Sequence, residues 1–230
     1  MIFRGLQKTT LIDYPNEVAC TLFVDKCNFR CPYCQNPSLV LEEAEESISE
    51  REVLEFLRKR KNVLDAVCIT GGEPTLHSGL KHFIQRVKEL GYKVKLDTNG
   101  TNPGMLRELI EEKLADYIAM DIKAPIEKYD KAANVIVDKE AVQKSVELLK
   151  SSGIDYEFRT TVVPGILEKK DFEKMGKWLK GAKAFYLQQF EKDAPLLDPR
   201  FQKVRSYSSE ELEEMKKIME KYVERVEIRD

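Results

Sequence analysis

Histidine is scarce in this chain: His77 and His82 are the only two among 230 residues. That leaves few nitrogen donors for a metal centre. Long apolar runs are also lacking. The longest, such as Val18–Val24, are far too short to span a bilayer. The opening residues, Met1-Ile2-Phe3-Arg4-Gly5-Leu6-Gln7-Lys8, carry no apolar block of the signal-peptide kind. The expectation is a cytoplasmic protein with no membrane association. No surplus of either charge exists, since 38 Lys and Arg face 40 Asp and Glu for a net charge of −2. A general nucleic-acid binder would carry a basic excess, so nucleic acid is not expected as a partner. No Gly/Ser-rich linker or shift in composition marks an internal boundary, and residues 1–230 read as a single domain. The five cysteines are odd in number and, in a reducing compartment, are not expected to form structural disulfides.

What is present is a regular alternation of short apolar runs and helical stretches. Val18–Val24, Ala66–Thr70, Lys93–Leu96, Tyr117–Met120, Tyr156–Val163 and Ala184–Phe190 read as strands, and Val226–Ile228 as a short last one. Between them lie helical patterns. Ser49-Glu50-Arg51-Glu52 is a capping box ahead of Val53, Leu54, Phe56 and Leu57. Phe83, Ile84, Val87 and Leu90 share a face before Gly91. Pro103 opens a helix bearing Leu106, Leu109 and Ile110. Lys139–Leu149, Phe172–Leu179 and a helix capped at Ser208 and running to Tyr222 complete the series. Repeated strand–helix units build a parallel sheet. Six are too few for the closed eight-unit barrel, so the expected fold is α/β, an open partial (β/α)6 barrel, with a doubly wound sheet as the alternative.

Cys27-Asn28-Phe29-Arg30-Cys31-Pro32-Tyr33-Cys34 places three thiols within eight positions, just past the first strand of that series. Three thiolates so close wrap one corner of a cubane cluster and leave one iron without a protein ligand. Zinc is the competing reading, and it needs a fourth ligand that this chain hardly offers. Cys20 and Cys68 sit inside apolar strands and read as small buried hydrophobes.

This C-x3-C-x2-C arrangement resembles the radical S-adenosylmethionine (SAM) superfamily, in which SAM chelates the spare iron of a [4Fe–4S] cluster. Tyr33, just before the third cysteine, fits the same pattern, its backbone lying beside the adenine. Thr70-Gly71-Gly72-Glu73-Pro74 resembles the superfamily segment that holds the SAM amino group. Asp97-Thr98-Asn99-Gly100 and Asp121-Ile122-Lys123 end the third and fourth expected strands, where active-site groups of a parallel barrel gather. Arg159 precedes Val162-Val163-Pro164-Gly165.

In that order these motifs resemble the glycyl-radical-enzyme activases over roughly residues 5 to 191. The resemblance implies SAM contacts at Asp97, Lys123 and Arg159, and a monovalent cation flanked by Asp97 and Asp121. Gly5-Leu6-Gln7-Lys8-Thr9-Thr10-Leu11-Ile12-Asp13-Tyr14-Pro15 and Cys34-Gln35-Asn36-Pro37 look like the activating protein of anaerobic ribonucleoside-triphosphate reductase. At the end of the sixth strand, where some relatives carry a His, this chain has Phe190-Glu191.

The chemistry so implied is reductive SAM cleavage with an electron from flavodoxin or ferredoxin. A 5′-deoxyadenosyl radical then abstracts hydrogen from a glycine in a partner protein. That step asks no catalytic acid or base of the chain. A pyruvate formate-lyase-type activase, a small-molecule enzyme of the deazaguanine synthase kind and a non-catalytic metal-binding module are the alternatives.

Overall fold

The β-branched and apolar run Ala19–Val24 is buried along almost its whole length, as a strand covered on both faces must be. It is the second strand (β2) of a computed structural model that describes residues 1–229. The chain divides into two compact units. One holds Met1–Asn28, Ser38–Thr98 and Asn102–Ala119; the other holds Phe29–Pro37, Asn99–Thr101 and the chain from Met120 onward.

In the first unit, β1 (Gly5–Thr10), β2, β3 (Ala66–Gly71) and β4 (Lys93–Thr98) lie side by side in that order. β1 runs antiparallel to β2, with an irregularity between Gln7 and Thr10. β2, β3 and β4 are mutually parallel, Thr21 standing level with Cys68 and Cys68 with Lys95. The crossovers carry α1 (Glu50–Arg60) and α2 (Leu80–Glu89), and α3 (Pro103–Glu111) follows β4. The capping box at Ser49 forms as expected, its hydroxyl accepting from the Glu52 N–H at 3.3 Å while Glu52 reaches back to the Ser49 N–H at 2.8 Å. Glu50, in the first turn of α1, binds the N-terminal ammonium at 2.7 Å and Arg86 of α2 at 2.6 Å.

β5 (Tyr117–Asp121) begins in the first unit and ends in the second. The second unit then pairs β6 (Asp155–Val162), β7 (Ala184–Gln189) and β8 (Arg225–Arg229) in parallel. Helices α4 (Lys139–Ser151), α5 (Lys169–Trp178) and α6 (Ser209–Met219) intervene. The sheet is thus mostly parallel and the architecture α/β, with all six expected strands present and the short last strand lengthened to five residues.

Two details differ from expectation. Gly5–Thr10 is a strand, although its alternation of apolar and polar residues is weak. Helix α6 stops at Met219 rather than Tyr222, because Tyr222 turns back over Gly176 of α5 and accepts the Gly181 N–H through its carbonyl at 2.9 Å.

Candidate functional site

Asp25 and Lys26 follow β2 directly and lead to Cys27. Lys26 adopts a left-handed backbone, φ 60°, unusual for a residue with a side chain. Its carbonyl accepts the Glu73 N–H at 2.6 Å, and its N–H donates to Leu39 at 3.0 Å. Beside it, Asp25 pairs with Arg4 at 2.7 Å, and His77 Nε2 lies 2.9 Å from the Asp25 carbonyl. Nothing in the sequence marked Arg4, Asp25 or His77 as a group, because they come from three distant segments.

The turn after β3 shows why two glycines stand together. Gly71 has φ 114°, which side-chain-bearing residues rarely adopt. A methyl group on Gly72 would come within 2.0 Å of the Lys26 carbonyl oxygen. The pair therefore lets the β3 turn lie against the segment leading into Cys27. Glu73 is 1% exposed, and its Oε1 accepts from the Thr75 N–H at 3.1 Å and the Thr98 hydroxyl at 2.8 Å. Its carboxylate shapes the turn. At the end of β4, Asp97 Oδ1 stands 3.4 Å from Lys95 Nζ.

In the second unit, Cys31, Tyr33 and Cys34 lie on one turn, closed by the Cys34 N–H to Cys31 carbonyl bond at 3.0 Å. A later segment clasps this turn: the N–H groups of Leu197 and Asp198 donate to the carbonyls of Cys34 and Pro32, both at 2.9 Å. Burial pushes the Cys31 thiol up, while the Lys123 ammonium pulls it partly back. The buried Tyr33 phenol is pushed well above its ordinary value by burial, then by the Cys31 charge.

Asp121, at the end of β5, lies 3.0 Å from Lys123 Nζ and 2.5 Å from Arg159 Nε. Burial alone would raise its carboxyl, yet Arg159 and Lys123 outweigh that and bring it to about 2. The same carboxylate holds Lys123 well above its ordinary value against burial. The hydroxyl of the fully buried Tyr129 accepts the Lys123 N–H at 3.3 Å and donates to the Asp121 carbonyl at 3.2 Å. Tyr129 thus fixes the Asp121-Ile122-Lys123 turn, a role that nothing in its sequence position announced. Asn99 Oδ1 folds back on the Thr101 N–H at 3.0 Å and stiffens the neighbouring turn.

The expected residues therefore fall into two groups. Gly71, Gly72, Glu73, Asp97 and Thr98 stand in the first unit with Cys27; Cys31, Tyr33, Cys34, Asn99, Asp121, Lys123 and Arg159 stand in the second. The donor set suits an iron–sulfur cluster, which is held by thiolate sulfur. No disulfide joins any of the five cysteines, and Cys20 and Cys68 lie buried within β2 and β3, the Cys20 thiol pushed up to about 12 by burial. Among the described residues no group of three or more His, Cys, Asp or Glu side chains stands ready to hold a metal ion. Nor is any helix among them long and apolar enough to cross a membrane.

Comparison with known proteins places these observations. Residues 21–179 match the family described as the Radical SAM superfamily. A protein of Methanocaldococcus jannaschii with the provisional name glycyl-radical enzyme activating enzyme is 37% identical over 237 aligned residues, covering 99% of this chain and 95% of the relative. The 7-carboxy-7-deazaguanine synthase of Aquifex aeolicus is 32% identical over 67% of this chain and 70% of its own length. Among solved structures, a domain of the pyruvate-formate lyase-activating enzyme from Bacteroides vulgatus superposes with a TM-score of 0.56 at 16% identity. It covers 72% of this chain and 99% of that domain, a likeness of fold.

Proposed function

Because the chain belongs to the radical SAM superfamily, we propose that it is an oxidoreductase that activates a glycyl-radical enzyme, with anaerobic ribonucleoside-triphosphate reductase as the protein substrate. Membership of the superfamily implies a [4Fe–4S] cluster and SAM as cofactors. The observation that carries the activase reading is the 37% identity sustained along 99% of the chain and 95% of the relative. The choice of reductase is supported by the Gly5–Pro15 and Cys34–Pro37 residues. Bound together, the cluster and SAM supply one-electron cleavage of a C–S bond and a hydrogen-abstracting fragment.

The chain's own part is to hold and orient. In this reading residues 1–230 act as a single radical SAM domain. Cys27, Cys31 and Cys34 ligate three irons. Backbone oxygens around Gly71, Gly72 and Glu73 receive the SAM ammonium, and the backbone at Tyr33 lies beside the adenine. Asp97, Thr98, Asn99, Lys123 and Arg159 line the remaining polar contacts, and Asp121 keeps Lys123 and Arg159 aligned. Flavodoxin or ferredoxin as electron donor belongs to the same expectation. No side chain has to transfer a proton for this chemistry.

Anaerobic reconstitution with iron and sulfide, followed by SAM and dithionite, tests the reading. 5′-Deoxyadenosine is expected, together with a glycine-centred electron paramagnetic resonance (EPR) signal when the reductase is added. Absence of 5′-deoxyadenosine removes the enzymatic reading altogether. Cleavage without a signal on the reductase removes that partner. The similarity to the Aquifex aeolicus synthase supports a small-molecule substrate as second reading, to be recognised by turnover of that substrate without any glycyl radical.

A further inference from the structure

The first unit buries a lysine to which none of these roles gives work. Lys95 lies two residues before Asp97 on β4, so the two side chains leave the same face of the strand. Thr21 and Cys68 stand level with it on β2 and β3. Nearby, Ala19, Ala66, Cys68 and Ala119 are all small, which leaves room for the lysine stem. At its end, Nζ stands 3.4 Å from Asp97 Oδ1, donates to the Asp13 carbonyl and lies 5.8 Å from the centre of the Tyr117 ring. The residue is 3% exposed.

An ammonium taken out of water is costly unless charge and oxygen atoms replace its hydration. A carboxylate, a carbonyl and an aromatic face form such a replacement, and they are the groups that would hold an alkali cation equally well. An ammonium has the charge of a potassium ion and a similar size. A stem anchored on β4 delivers it at a fixed place, with no need of a cation from solution.

We propose that Lys95 is a tethered cation: its ammonium takes the place of a free monovalent ion beside Asp97 and positions that carboxylate for SAM. The inference rests on the reading of Asp97 as a SAM contact. Lys95 is then a positioning residue acting through Asp97, and SAM binding should be indifferent to potassium.

The test uses the anaerobically reconstituted protein and the change that SAM produces in the EPR spectrum of the reduced cluster. SAM is titrated in buffers whose added cation is either tetramethylammonium, too large to enter, or potassium. For the wild type the apparent Kd should be the same in both. Lys95→Met should weaken SAM roughly tenfold in tetramethylammonium, the size of one lost charge-assisted contact. Potassium or methylammonium should restore most of that loss, and Lys95→Arg should need neither. Without cluster or SAM, potassium should raise the Tm of Lys95→Met and leave the wild type unmoved.

A wild-type affinity that rises with potassium overturns the inference while leaving the activase reading intact. So does a defect in Lys95→Met that no small cation repairs. Should Lys95→Met fail to fold, the wild-type arm still decides. A wild-type cluster whose spectrum ignores SAM removes the underlying function, and this inference with it.

Discussion

Asp121 is the residue whose surroundings say most about the site. Two cations lie within 3.0 Å of its carboxylate, and its acidity is held at about 2 against an ordinary 3.8. A carboxyl whose folded value is depressed stabilises the fold above its unfolded value. That contribution is lost as pH falls from about 4 through 2. The shift corresponds to about 2 kcal/mol. In the cluster-free protein, Asp121→Asn should lower stability at pH 7 by at least that much and flatten the acid limb of the stability curve between about pH 4 and pH 2. Urea unfolding across that range measures both, and an unchanged acid limb would show that the pair of cations does not act on the carboxylate as drawn.

Asp121 and Lys123 were legible by their shared place at the end of an apolar strand, and Arg159, inside β6, only through the resemblance to the radical SAM superfamily. The sequence hid Tyr129, since a tyrosine opening a short helix carries no mark of the hydrogen bonds it will make. Lys95 was concealed differently: in Lys93-Val94-Lys95-Leu96 an alternating pattern reads as one wet face, whereas Lys95 is buried and only Lys93 is exposed.

Strands and helices were read more readily than their ends or their minor members. Buried parallel strands announce themselves by continuous apolar runs, and the Ser49 box by its spacing. Gly5–Thr10 did not, because an edge strand paired on one side needs little apolar character. The turns that join elements carry the functional geometry, and they separate stability from binding. Ser49→Ala removes a helix cap and should cost about 1 kcal/mol without altering SAM affinity. Gly72→Ala forces a methyl group toward the Lys26 carbonyl, 2.0 Å away. It should cost about 1–3 kcal/mol and also weaken SAM, because the β3 turn and the segment leading into Cys27 must part. Thermal melts paired with SAM titrations distinguish the two variants. Equal SAM affinity in both would mean that the close approach at Gly72 serves packing alone.

At the scale of the molecule, each unit joins segments far apart along the chain through a carboxylate. Met1 meets Glu50 in the first unit; in the second, Arg229 of β8 makes a two-pronged pair with Glu157 of β6 at 2.6 and 2.8 Å. The first link is part-buried, whereas Glu157 is 0% exposed and Arg229 also stacks 3.4 Å from the centre of the Tyr186 ring. The sequence placed a short last strand here without showing what it fastens, since the three residues stand far apart along the chain. Removing one partner of a buried ion pair strands the other's charge and costs about 3–5 kcal/mol. Arg229→Met should therefore destabilise far more than removal of Arg200 from its exposed pair with Asp198, which should cost less than about 1 kcal/mol. Hydrogen exchange should show the loss first in β6, β7 and β8, the strands that the pair ties together. The double variant Arg229→Met, Glu157→Gln should recover part of the stability, because the stranded charge is gone. If the single and double variants lose stability equally, then stacking on Tyr186 rather than charge pairing is what Arg229 contributes, and β8 is held by packing.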